Sequence, residues 1–119
     1  MNQILNVVIV LSRCSRSRQP FGIRFEEKGR NCWIADWAFP LKETTARREG
    51  YDRGEIAGSF TFDPAFPGCP SCRASSFFKC GACGKVNCWA NETVITCSWC
   101  GNRGGIEGQV DRLGAGGDG

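Results

Sequence analysis

Three features of the sequence predict a small β-rich fold, an N-terminal β-hairpin region packed on a cysteine-rich ribbon. Three C-x2-C pairs lie within 32 residues, apolar residues alternate through Phe21, Ile23 and Phe25 and resume at Cys32–Phe39 beyond a charged turn, and nine cysteines stand against no histidine. At 119 residues, 41% hydrophobic and 23% charged, the chain has the composition of one globular unit with little room for a second core. The absence of histidine removes Ser/His and Cys/His catalytic pairs and every imidazole metal ligand. Any bound metal must rest on thiolates, helped at most by carboxylates.

Ile4–Leu11 is apolar but far short of the roughly 20 residues that span a bilayer. It also lacks a basic flank and a small-residue cleavage site, so neither a membrane anchor nor an export signal is expected. Its β-branched residues suit an edge strand, or the segment is unstructured. With the Ser/Arg run Ser12–Arg18, residues 1–20 read as a flexible extension and Cys14 as a free thiol. From Phe21 the alternation predicts a hairpin, with Glu26–Arg30 as its turn, ending at Pro40. A short helix is expected around Thr45–Glu49, a strand over Glu55–Phe62, and turns over Asp63–Gly68. The domain thus runs over 21–113, with a ribbon core at 66–106, and the glycine-rich residues 114–119 form a disordered tail.

Seven cysteines fall in the ribbon: Cys69, Cys72, Cys80, Cys83, Cys88, Cys97 and Cys100. A C-x2-C turn aims two sulfurs at one point, and two such turns complete a zinc tetrahedron with Zn–S bonds of about 2.3 Å. A glycine after the second cysteine eases the exit from the turn; Gly84 and Gly101 supply it, and Arg73 does not. If residues 75–79, 85–89 and 92–96 form a meander, Cys80, Cys83, Cys97 and Cys100 share one end of it. Their spacing, C-x2-C-x13-C-x2-C, is that of a zinc ribbon. Cys69, Cys72 and Cys88 lie toward the other end, one ligand short, and Cys32 on the hairpin is the candidate fourth, with Asp63 or water as substitutes. The alternative joins Cys69/Cys72 to Cys80/Cys83 and Cys88 to Cys97/Cys100. One or two Zn2+ per chain are expected. Each four-thiolate site carries a net −2, so two bring the formal +3 to −1, and basic composition does not argue for nucleic acid.

An odd cysteine count without an export signal argues against disulfides and for the cytoplasm. A redox C-x2-C belongs at a helix N-terminus, whereas these lie among glycines and strand formers. The usual iron–sulfur runs are absent. The aromatic residues, from Trp33 and Trp37 to Trp89 and Trp99, read as core bulk for a small metal domain. The carboxylates Asp36, Glu49, Asp52, Glu55 and Asp63 read as turns, caps and ion pairs, with Arg47–Glu49 and Tyr51–Arg53 as a structural network, so no enzyme is expected.

The ordered set Trp33-Ile-Ala-Asp-Trp-Ala-Phe-Pro-Leu41, Arg48-Glu-Gly-Tyr-Asp52, Ile56-Ala-Gly-Ser-Phe60, Gly68-Cys-Pro-Ser-Cys72, Cys83-Gly-Lys85 and Cys97-Ser-Trp-Cys-Gly101 resembles the TerY C-terminal (TerY-C) metal-binding domain over roughly residues 21–113. The resemblance implies metal chelation by the seven clustered cysteines and a bacterial tellurite-resistance or stress-response setting. In that family the domain commonly follows a von Willebrand factor A domain, which here would be a partner in trans. Cys14 and Cys32 lie outside the family pattern. The expected function is a structural zinc module mediating protein–protein interaction. The alternatives are a nucleic-acid-binding zinc ribbon, for which basic residues near the ribbon are few, and a thiol-based redox or metal sensor.

Overall fold

The computed structural model describes residues 6–49, 55–105 and 112–114. Strand β1 (Val7–Arg13) lies inside the main sheet, pairing antiparallel with β2 (Pro20–Glu27) and parallel with β7 (Val86–Trp89). The expectation of a flexible segment or an edge strand is corrected for residues 7–20. An unbroken β-branched run is what a strand buried on both faces requires. Its side chains divide by alternation: Val8, Val10 and Cys14 enter the main core, while Ile9 and Leu11 pack on the opposite face with Leu41, Ala46 and Trp99.

The expected hairpin forms from β2 and β3 (Cys32–Pro40), with a register shift at Arg24/Phe25 that leaves Asp36 as the extra residue. Arg24 pairs with Asp36 there. Helix α1 spans Glu43–Glu49, and its Glu43 pairs with Arg13 at the end of β1. The strand expected over 55–62 is split into β4 (Glu55–Ala57) and β5 (Ser59–Phe62). Gly58 between them has φ 135°, and a Cβ there would lie 2.0 Å from the Asn31 carbonyl oxygen, so only glycine fits the break. β5 runs parallel to β3, with Cys32 opposite Ser59.

β6 (Ser76–Lys79) pairs antiparallel with β7 and completes the six-stranded order β5-β3-β2-β1-β7-β6. The meander stops there. β8 (Val94–Thr96) pairs with β9 (Arg103–Gly105), not with β7, because β1 already occupies the far edge of β7. β10 (Arg112–Gly114) pairs with β4. Phe25 centres the main core, meeting Phe60 and Phe77 edge-on at 5.7 and 5.8 Å. Most of the aromatic residues serve as core, as expected, whereas Trp37 is 53% exposed. The anticipated Tyr51–Arg53 pairs and the tail beyond Gly114 lie outside the described residues; Arg48 does contact Glu49, at 3.7 Å on the surface. Among the described residues no helix is long and apolar enough to cross a membrane.

Candidate metal centres

Four turns of the chain share one backbone geometry. In each, the N–H of a cysteine donates to the carbonyl five residues on, and its own carbonyl accepts from the N–H four residues on. The bonds join Cys14 to Gln19 and Arg18, Cys69 to Ala74 and Arg73, Cys80 to Lys85 and Gly84, and Cys97 to Asn102 and Gly101, all at 2.7–2.9 Å. The fourth residue after the cysteine is left-handed every time, at φ 63° for Arg18, 64° for Arg73, 75° for Gly84 and 80° for Gly101. Three of the turns carry a second cysteine three residues after the first. In the turn that follows β1, Ser17 stands in that place.

Cys80, Cys83, Cys97 and Cys100 converge in what is here called the ribbon centre, the grouping expected from their spacing. The other group, the core centre, is Cys14, Cys69, Cys72 and Cys88. Cys88, projecting from β7, supplies the sulfur that Ser17 cannot. The proposal of Cys32 as fourth ligand is corrected: Cys32 is exposed and belongs to neither group. Pairing explains why. Cys32 starts β3 at the turn end of the hairpin, opposite the Glu27 end of β2, whereas Cys14 follows the Arg13 end of β1, opposite Pro20 at the open end. Asp63, the other substitute, accepts the Ala65 N–H at 2.8 Å within its own turn. The alternative pairing of knuckles is not realised.

The sulfur spacing fits a tetrahedral ion. Bonds of about 2.3 Å place tetrahedral ligands about 3.8 Å apart. Two separations in each centre lie close to this, 3.5 Å for Cys72–Cys88 and 3.8 Å for Cys14–Cys88 in the core centre and 3.7 Å for Cys80–Cys100 and 3.6 Å for Cys83–Cys97 in the ribbon centre, and within each group all four sulfurs lie within 4.8 Å of one another. A disulfide needs about 2.05 Å, and all nine cysteines are free. Each group offers four sulfurs, the number that a tetrahedral structural ion takes.

Backbone and amide N–H donors around the sulfurs favour thiolate, against burial and the neighbouring thiols. Cys88 Sγ accepts from Ser15 N–H at 3.2 Å, and Cys14 Sγ from Ser17 N–H at 3.4 Å. Cys97 Sγ accepts from Trp99 N–H and from Asn87 Nδ2, both at 3.4 Å. Asn87 is fully buried on β7, and its Oδ1 accepts both the N–H and the hydroxyl of Ser98, which fixes the third knuckle against the sheet. Burial pushes the Cys97 thiol up, but the N–H groups of Cys100 and Trp99 and the Asn87 amide outweigh it and hold it down at about 6. The neighbouring Cys69 sulfur, then burial, push Cys88 up to about 12. Burial first, then the adjoining thiols, push Cys83 up to about 12. Four crowded sulfurs cannot all ionise unaided, and a divalent cation reverses that balance.

The signals that sequence reasoning missed are specific. Cys14-Ser-Arg-Ser17-Arg18 matches Cys69-Pro-Ser-Cys72-Arg73 in knuckle form, down to an arginine in the left-handed position. Trp99 also has a role beyond bulk: its Nε1–H donates to the Val86 carbonyl at 2.8 Å, and Arg13 and Lys85 lie 4.0 and 4.6 Å from its ring centre. These contacts tie the third knuckle to β7 and β1. Both centres could hold a metal ion, and the chain is a small β-rich fold built around them. No family model, curated protein or solved structure matches the chain.

Proposed function

We propose that this chain is a structural zinc module without catalytic activity, binding two Zn2+ and presenting a metal-braced surface to a protein partner. The observation that carries the reading is the convergence of four like-shaped turns and β7 on two closed sets of four sulfurs. Closed four-thiolate sites supply folding energy rather than reactivity, on the order of 10 kcal/mol in small zinc peptides. A tetrahedral, all-sulfur donor set suits zinc, and the C-x2-C-x2-C and C-x4-C-x2-C runs usual for iron–sulfur clusters are absent from the sequence. Nine cysteines with no disulfide among them support a reducing compartment, which the reading takes to be the cytoplasm.

The resemblance to TerY-C domains extends the proposal to a bacterial tellurite-resistance or stress-response assembly, with a von Willebrand factor A domain protein as partner in trans. The experiment is elemental analysis of protein expressed without added metal. Two zinc per chain, lost together with the native amide spectrum on exhaustive chelation, supports the module. Less than about half an equivalent, with a folded protein, refutes it.

A further inference from the structure

Arginine stands at the core centre where the ribbon centre has glycine. Of the four like-shaped turns, the two that feed the ribbon centre carry Gly84 and Gly101 in the left-handed position, whereas the two at the core centre carry Arg18 at φ 63° and Arg73 at φ 64°. A long side chain rarely takes that conformation, which glycine adopts without steric cost. Among the described residues no ion pair offsets it. Both arginines are exposed, and the arginine ion pairs of the fold belong to Arg13, Arg24 and Arg48. A residue held in a disfavoured backbone conformation with no return in the fold points to a use outside it.

The two turns bring these side chains to one place. The N–H groups of Arg18 and Arg73 are bonded to the carbonyls of Cys14 and Cys69 at 2.9 and 2.7 Å, and the sulfurs of those cysteines lie within 4.8 Å of each other. Arg16, also exposed, joins them from the first turn. Residues 12–20 and 64–91 hold no carboxylate to answer these guanidinium groups from their own segments. The charge of the core centre does not account for them either, because the ribbon centre gathers the same four sulfurs with glycine in both positions.

We propose that Arg16, Arg18 and Arg73 form a docking site for an acidic segment of a partner protein, whose carboxylates they engage through paired N–H donors. An acidic peptide suits the site better than single-stranded nucleic acid, since residues 12–20 and 67–76 hold no aromatic ring on which a base could stack. The proposal rests on the zinc-module reading, because the core centre is what joins the two turns.

The test is an NMR titration of the zinc-loaded full chain with a capped hexaglutamate peptide. Saturable shifts should appear at the amides of residues 15–18 and 71–74 and at arginine Nε–H signals, and should weaken as salt rises. The double variant Arg18→Gly/Arg73→Gly should keep two zinc per chain, melt no lower than the parent and bind the peptide at least tenfold more weakly. Arg16→Glu, a charge reversal on an exposed side chain, gives a second binding measurement. No saturable shift, shifts centred elsewhere, parental affinity in both variants, a lower melting temperature in the glycine pair, or tighter binding of a thymidine heptanucleotide of the same charge would overturn the proposal. Zinc content of the same samples separates the two readings: two equivalents without peptide binding removes the docking site alone, and protein that folds without zinc removes the module and the site with it.

Discussion

The sulfurs of Cys14 and Cys88 lie 3.8 Å apart although 74 residues separate them in the chain. Cys14 follows β1 and Cys88 sits on β7, so the contact closes the parallel step that joins the N-terminal strands to the cysteine-rich half. A short parallel pairing of two residue pairs has little strength of its own. The core centre ties it to the knuckle before β6, and three of its four cysteines are buried in the main core.

Cys14→Ser should therefore cost one zinc and unfold the main sheet, because an ion worth on the order of 10 kcal/mol is comparable with the whole stability of an ordinary domain, about 5–15 kcal/mol. Cys32→Ser should leave zinc content and melting temperature unchanged. Equal effects of the two changes, read by calorimetry and elemental analysis, would contradict the assignment.

Asn87→Leu should weaken the ribbon centre without touching its ligands. The change removes the Nδ2–H donor to Cys97 and strands the N–H and hydroxyl of the half-buried Ser98, at up to about 1–3 kcal/mol, the cost of a buried unsatisfied group. Ligand-orienting partners of this kind typically alter metal affinity about 10–100-fold. Competition with a chromophoric chelator checks this, and an unchanged affinity would show that Asn87 is a packing residue only.

The two ions should leave in order. Cys100 is exposed and Cys83 half-buried, and β8 and β9 pair only with each other among the described strands, so limiting chelator should empty the ribbon centre first. Amide signals of residues 94–105 should then shift while those of β1, β2 and β3 stay in place. Simultaneous loss of both sets would mean that the centres are not independent.

In that half-emptied protein the pH response has a definite sign. Cys97 is depressed from 9.0 to about 6, so its donors contribute stability that is fully present above the ordinary thiol range and lost as pH falls through about 6. The rate of Cys97 alkylation should show a midpoint near pH 6. A midpoint near 9 would mean that the Asn87 and Trp99 contacts do not hold once the ion is gone.

Gly58→Ala should destabilise the protein by more than the roughly 1 kcal/mol of an ordinary glycine replacement. The added Cβ meets the Asn31 carbonyl at 2.0 Å and the backbone there is left-handed. Denaturant unfolding measures the loss, and a neutral result would show that β4 and β5 can join without the break.

The ribbon centre was legible in the sequence because two C-x2-C turns fix their own geometry locally and a 13-residue spacer returns the chain to the same end. The hairpin was legible from its period of two. The core centre was only half legible: Cys69, Cys72 and Cys88 were evident, but their partner depends on β1 being drawn in beside β7, a tertiary pairing that local pattern does not encode. Ser17 in place of a second cysteine hid the first knuckle, and the Ser/Arg composition around it has the look of a linker. The split at Gly58 was likewise invisible, since the reason for it is the distant Asn31 carbonyl.

Brief alkylation of the native protein, with adducts located by mass spectrometry, tests the central claim most directly. Two closed four-sulfur centres that include Cys14 leave Cys32 as the single reactive thiol among nine, and one adduct at Cys32 is the expected result. Modification of Cys14 or Cys88 in undenatured protein, or protection of Cys32, would contradict the account.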